Sequence, residues 1–350
     1  MNPFSVNPNP GSSPPPPPQG PRRPFAPGSR TAIWVGVGAA SVVAVLALVI
    51  ALTNGQQAAA PAATSTTQVE TTLAPTPTST PVTEPPTTRP VSTELHRESC
   101  VLHELVARGC DLMVAQDAVG TGPLPVVILL HGLAGSESGV RSAGAWPDAV
   151  ASHRFMLVTP AGVAGSWNAQ GCCGVASAVQ IDDVGFLRGL IERLTARDDV
   201  DASRIYLVGH SNGGMMAYRY LCSDAERIAG MVSVSGTRVS GCFPSAPTDV
   251  LQIHGTGDTT VPYDGGQGLV AAILGVTFSS VPSTMQQMAE AQQCALDPQV
   301  VESDPVTEQS WTGCSGGAHV DLWSVRGLNH DWMRKPVNLT DRILDYFGID

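Results

Sequence analysis

The sequence predicts an α/β fold over residues 99–350, a mostly parallel central sheet with helices on both faces, behind a leader of different character. Three observations predict it. Short apolar runs bounded by Gly, Pro or Ser alternate with stretches of helical periodicity. Composition changes near Ser99: 18 of the 29 prolines precede it and all 8 cysteines follow it. Charge divides at the same place, with five Lys+Arg against four acids before Ser99 and 14 against 26 after it, for a net charge of -11. About 250 residues suffice for one sizeable core. Its acidity argues against nucleic acid or anionic headgroups as partners.

The leader divides into three. Residues 1–30 are rich in Pro, Gly and Ser and bury too little apolar surface to fold, so they are expected to be a disordered cytoplasmic tail. The proline run 14–18 within them has polyproline II character, suited to an SH3- or WW-like groove. Residues 31–53 read as a transmembrane signal-anchor helix, because 32–52 hold 21 residues without a charge, about 30 Å of helix. No second stretch is long and apolar enough to span, which excludes a multi-span protein despite a charged fraction of only 14%. Arg22, Arg23 and Arg30 precede the run and no basic residue follows until Arg89, so the N-terminus is expected in the cytoplasm and the bulk of the chain outside. A cleaved signal peptide processed at Ala58-Ala59-Ala60 is the competing reading. Residues 54–98, rich in Thr, Pro and Ala, read as an extended extracytoplasmic linker.

In the remainder, strands are predicted over 126–130, 154–159, 204–208, 231–235, 250–253 and 320–325. Short runs of this kind suit strands buried on both faces. Helices are predicted over 143–151, 178–194, 212–221, 285–293 and 339–347; in the second, Val179, Phe186, Leu187, Leu190, Ile191 and Leu194 share one face. In such folds chemistry gathers at the carboxyl ends of the strands.

The strand at 204–208 runs into Gly209-His210-Ser211-Asn212-Gly213, a G-x-S-x-G turn followed by a helix. Glycines on both sides permit a turn that projects the Ser211 hydroxyl. A serine nucleophile needs a base that an acid orients. Asp258 follows the strand at 250–253, and His330 follows the strand at 320–325, which gives the order Ser211…Asp258…His330. His254, four residues before the acid, is a rival base better read as support for the turn, and His319 lies at the opposite edge of the sheet. Oxyanion donors are expected at the backbone N–H groups of Leu133, after the strand at 126–130, and Asn212. His131 is read as holding the Leu133 loop. Trp167 lies at the same strand-end edge, for a substrate subsite or for packing. Asp182-Asp183 reads as a helix cap or dipole partner rather than a catalytic pair.

An even number of cysteines in an exported domain points to disulfides, and the lack of paired CxxC motifs argues against zinc. Cys222 with Cys242 and Cys294 with Cys314 each enclose a loop, and Cys100 with Cys110 would cross a hairpin. Cys172 and Cys173 are not expected to bond to each other.

LLHGLAGS (129–136), SWNAQGCCG (166–174), IDDVGFL (181–187), RIYLVGHSNGGMMAYRYLC (204–222), IHGTGDTTVPYDGG (253–266) and a final His-x-Trp together resemble the secreted feruloyl esterase and polyhydroxybutyrate depolymerase-like branch of the α/β-hydrolases, over residues 105–350. The resemblance implies an α/β-hydrolase fold and carboxylic-ester hydrolysis through an acyl-enzyme, without a metal or organic cofactor. It puts the nucleophile on Ser211, the acid on Asp258 and the base on His330, pairs Cys294 with Cys314, and makes Trp332 a substrate-binding candidate beside Trp167. Two positions depart from the pattern. Asn329 precedes His330 where relatives carry glycine, and Met333 follows Trp332 where they carry Pro-Gly, which alters the pocket rim. Feruloyl, acetyl or short-chain hydroxyalkanoate esters, free or on polysaccharide, are the expected substrates. A serine peptidase of the same fold and a non-catalytic cell-envelope binding module are the rival readings.

Overall fold

The computed structural model describes residues 93–99, 108–239, 241–268, 271–272 and 275–350, with 93–99 as backbone alone. The expected tail, anchor run 31–53, most of the linker, and Cys100 lie outside the described residues. Among those described, no helix is long and apolar enough to cross a membrane.

Among the described residues ten strands form one sheet: β1 (Thr93–Ser99), β2 (Gly109–Ala115), β3 (Leu124–Leu130), β4 (Met156–Pro160), β5 (Val200–His210), β6 (Gly230–Val234), β7 (Asp249–Gly255), β8 (Gln299–Ser303), β9 (Val306–Trp311) and β10 (Val320–Val325). Their order is β1-β2-β4-β3-β5-β6-β7-β10-β9-β8. From β4 to β10 every pairing is parallel, whereas β1, β2, β9 and β8 add antiparallel edges. Among the described residues the full α-helices are α1 (Glu137–Ala143), α2 (Trp146–Ser152), α3 (Gly174–Ala178), α4 (Asp183–Thr195), α5 (Asn212–Asp224), α6 (Val281–Ala291) and α7 (Leu339–Tyr346).

The period of two in a strand distributes the core. Every residue of β3 is buried. Val126, Ile128 and Leu130 face one apolar cluster with Leu187, Leu190 and Ile191 of α4, Met216 and Leu221 of α5, and Met285 and Met288 of α6. Val127 and Leu129 face the other, with Trp146 and Val150 of α2 and Leu339, Ile343 and Leu344 of α7. The sheet is thus covered on both faces, as the apolar runs predict.

The structure corrects several boundaries. The helix predicted over 143–151 begins only at Trp146, because Gly144 and the left-handed Ala145 (φ 53°) turn the chain between it and α1, which was not predicted. The helix predicted over 178–194 begins only at Asp183: Val179 leaves helical geometry at the end of α3, Gln180 is left-handed (φ 55°), and Asp182 starts α4 by accepting the Gly185 N–H at 2.9 Å. Strand β1 reaches back to Thr93, inside the predicted linker, because backbone pairing with β2 recruits a segment whose composition carries no strand signal. β2, β8 and β9 were not predicted; all five residues of β8 are exposed, so no buried face marks it in the sequence.

Candidate active site

β5 ends at His210 and α5 begins at Asn212, so Ser211 alone makes the turn between them, at φ 54° and ψ -118°. Few L-residues adopt this backbone, and the surroundings enforce it. The Ser211 N–H donates to the Val234 carbonyl at 2.8 Å. A Cβ on Gly209 would stand 2.2 Å from the Gly213 carbonyl oxygen, and one on Gly213 would stand 2.4 Å from that of Leu130. Both glycines of the motif are therefore steric requirements of the turn.

The loops after β7 and β10 meet above it. His330 Nε2 lies 2.8 Å from Ser211 Oγ, and His330 Nδ1 lies 2.7 Å from Asp258 Oδ2. Residues 119 and 72 positions apart are thus joined in one hydrogen-bonded line. Asp258 Oδ1 accepts the N–H groups of Thr260 (2.8 Å) and Val261 (2.9 Å). Burial alone would raise the Asp258 carboxyl, but hydrogen bonds from His254 and His330, the charge at His330 and the Val261 amide outweigh it and hold it well below the usual carboxylate range. The two loops are laced together: Gly257 N–H donates to the Leu328 carbonyl (3.0 Å), Gly327 N–H to Thr256 Oγ1 (3.0 Å), and Thr259 N–H to Asn329 Oδ1 (3.0 Å). Asn329, which departs from the family pattern, is thus a clasp between acid loop and base loop.

Leu133 lies in the loop after β3. A Cβ on its neighbour Gly132 would stand 3.3 Å from Ser211 Cβ, so this loop passes directly against the serine. His131 holds the loop as expected: Nδ1 donates to the Gly132 carbonyl (2.8 Å) and Nε2 accepts the Gly162 N–H (2.9 Å). Burial lowers its pKa, favouring the neutral ring that this pattern requires. Asn212 is the first residue of α5, whose N–H has no carbonyl within the helix to meet.

Neither tryptophan lines a subsite. Trp167 is fully buried; its Nε1–H donates to the His131 carbonyl (3.0 Å), and its own N–H and C=O are held by the Asn212 side chain (2.8 and 3.0 Å). Placement at the correct strand end sets the edge but not the side-chain direction, and the ring turns under the Leu133 loop. Trp332 is also buried, donating to Thr340 Oγ1 (3.0 Å) and packing edge-on against Trp146 with centroids 5.8 Å apart. It belongs to the core behind the base.

Asp182 is the expected cap, whereas Asp183 is buried and accepts Arg108 Nη1 (2.5 Å) and the Asn168 N–H (2.7 Å), fixing the loop that carries Trp167. Burial raises its carboxyl, partly opposed by Arg108. His319 is exposed beside Asp249, at the far end of the sheet. Cys222–Cys242 and Cys294–Cys314 are bridged as expected. Cys110 is buried, and its expected partner Cys100 is outside the described residues. Contrary to expectation Cys172 and Cys173 are bonded to each other; positive-φ glycines on either side, Gly171 (119°) and Gly174 (70°), supply backbone latitude that the expectation omitted. Among the described residues, no cluster of His, Cys, Asp or Glu is arranged to hold a metal ion.

Two more histidines adjoin this line: His254, expected to support its turn, and His210, which sequence reasoning missed. His254 touches Asp258, with Nε2 3.3 Å from Oδ2. His210, the variable residue of the serine motif, lies 5.3 Å from His330 by ring centroids, its Nε2 buried without a partner. Burial first, then nearby His330, pushes its pKa down to about 3. Its position beside Ser211 was the available signal.

A family model described as alpha/beta hydrolase fold matches residues 125–310. Feruloyl esterase B of Piromyces equi is 30% identical over 222 residues, covering 60% of this chain and 40% of that protein. A bifunctional acetylxylan esterase/xylanase of Neocallimastix patriciarum is 28% identical over 209 residues, covering 59% of this chain and 28% of that protein. This chain thus spans less than half the length of either relative. Among solved structures, an acetyl xylan esterase from Aspergillus awamori aligns with a TM-score of 0.47 at 14% identity, covering 69% of this chain and 94% of that one. The family match spans more than half of the sequence and includes the sheet strands that carry Ser211 and Asp258, so the chain belongs to the α/β-hydrolase fold family and is related within it to feruloyl esterases.

Proposed function

We propose that this protein is a serine carboxylesterase acting through an acyl-enzyme, with Ser211 as nucleophile, His330 as general base and acid, and Asp258 as the carboxylate that orients His330. The observation that carries this reading is the unbroken line from Ser211 Oγ through His330 to Asp258, with bonds of 2.8 and 2.7 Å. Ser211 Oγ attacks the ester carbonyl while His330 Nε2 accepts its proton. The Leu133 and Asn212 N–H groups receive the developing oxyanion. Collapse expels the alcohol, which takes the proton from His330. Water, deprotonated by His330, then releases the acid and restores Ser211.

Feruloyl and acetyl esters carried on polysaccharide are the proposed substrates, after the names of the relatives. We also assign residues 31–53 as an N-in anchor that holds the esterase outside the membrane, on the strength of the 21-residue uncharged run and the arginines before it. The test is a panel of feruloyl, acetyl and hydroxybutyryl esters, together with a fluorophosphonate probe. Hydrolysis by the wild type and labelling that disappears in Ser211→Ala are expected. Peptide cleavage without ester turnover would replace the esterase with a peptidase, and absence of both turnover and labelling would leave a binding module.

A further inference from the structure

We propose that His254 is a positioning residue for the Asp258 carboxylate, its own proton directed by Gln252 and Tyr218, so that a buried chain of hydrogen bonds sets the strength with which Asp258 holds the base. This rests on the reading of Ser211, His330 and Asp258 as the catalytic unit.

The chain begins in α5 and crosses to β7. Tyr218 hydroxyl donates to Gln252 Oε1 at 2.8 Å. Gln252 Nε2 lies 3.2 Å from the Ile253 carbonyl and 3.0 Å from His254 Nδ1. A carbonyl can only accept, which fixes the nitrogen end of the amide toward His254. His254 Nδ1 is then an acceptor, and the ring proton sits on Nε2. That nitrogen faces two acceptors, the Val261 carbonyl at 2.9 Å and Asp258 Oδ2 at 3.3 Å. Tyr218, Gln252 and His254 are all buried, so no solvent competes for these bonds.

Asp258 Oδ2 is therefore shared between two imidazoles, His330 at 2.7 Å and His254 at 3.3 Å. A second donor on this oxygen draws off part of the charge that would otherwise act on His330 alone. It also blocks rotation of the carboxylate, whose other oxygen is held by two amides. The other titratable groups nearby are His210 at the end of β5, which senses the charge of Asp258, His254 and His330, and Tyr263. The Tyr263 ring lies 6.1 Å from that of His254, and its hydroxyl lies 2.6 Å from Ser324 on β10.

Two substitutions separate this role from plain packing. His254→Gln carries an amide N–H close to the place of the ring Nε2–H, whereas His254→Asn stops at the place of Nδ1. In the full chain, kcat/KM on p-nitrophenyl acetate is measured against pH, and the His330 ring is titrated by NMR. With the shared donor gone, Asp258 holds protonated His330 more strongly, so the neutral base appears only at higher pH. The Asn variant is expected to move the acid limb and the NMR titration upward by about half to one pH unit and to lose up to about three- to tenfold in kcat/KM at pH 6. The Gln variant is expected to stay within about twofold of the parent. If His254→Asn does not fold, Gln252→Leu removes the bond that directs the ring proton and should shift both readouts in the same direction. An unmoved limb in all variants, or equal rate loss in Asn and Gln with the limb in place, overturns the proposal. Failure of the underlying triad has a different signature, an active Ser211→Ala.

Discussion

The loops after β7 and β10 supply the two partners of Ser211 from adjacent parallel strands, yet they are built in opposite ways. The acid loop is closed: Asp258 is buried, both of its oxygens are occupied, and two of its donors are backbone amides of its own turn. The base loop is open: the His330 side chain keeps 16% of its surface, and its ring touches Asp258 and Ser211. A group that must stay ionised and stationary gains from burial among donors, whereas a group that passes protons to substrate must reach the cleft. Stability and catalysis should therefore separate between these two loops.

The largest expected effect lies on the open side. His330→Ala should lower kcat by roughly 10⁶ while its melting temperature stays within about 2 °C of the parent; a large loss of stability there would remove the contrast. Asp258→Asn should lower kcat by about 10⁴, because an amide cannot hold the imidazole in the same tautomer. Unlike the change at His330, it should also cost on the order of 1–3 kcal/mol in denaturant titrations, since the buried oxygen shared by His254 and His330 is replaced by an amide nitrogen that can accept from neither.

The seam between the loops comes next. A Cβ on Gly255 would stand 2.0 Å from the Leu328 carbonyl oxygen, so Gly255→Ala should force the loops apart and cost about 1–3 kcal/mol, with activity falling in step. Asn329→Ala removes the clasp to Thr259 and should cost about 1 kcal/mol. Its sharper readout is the KM for a feruloyl ester, because the clasp lies at the rim.

The last contrast is in pH dependence. His210 has its folded-state pKa pushed down to about 3, below the ordinary value of about 6.5. Between those values the unfolded chain binds a proton that the native ring refuses, so its contribution is complete above pH 6.5 and is lost as pH falls toward 3. The slope is at most about 1.4 kcal/mol per pH unit. Melting curves from pH 7 to 4 should fall less steeply in His210→Gln than in the parent. Equal slopes would remove His210 as the source of acid sensitivity in this window, since the Asp258 contribution is lost only below about pH 4, where the unfolded carboxylate begins to protonate.

Much of this architecture was legible because strand and helix periods are local. The run at 126–130 is apolar at every position and the one at 204–208 is so after Arg204, as strands covered on both faces must be, and the nearby glycines mark where they turn. Ser211, Asp258 and His330 could be named because each closely follows such a strand, and parallel strands all deliver their ends to one edge. Trp167 satisfied that same criterion and still proved to be core. Side-chain direction depends on what packs around it, here the His131 carbonyl and the Asn212 amide. β8 was invisible because an exposed edge strand buries no face and imposes no pattern.

By itself, then, the chain determined where its apolar stripes lie, which turns demand glycine, and in what order a hydroxyl, a carboxylate and an imidazole arrive at one rim. Only the tertiary structure decided that His254 shares an oxygen with His330, that Asn329 ties one loop to another, and that two tryptophans face inward. Those are contacts between segments remote in sequence, set by packing and by the need of buried polar groups for partners, and neither leaves a local period to read.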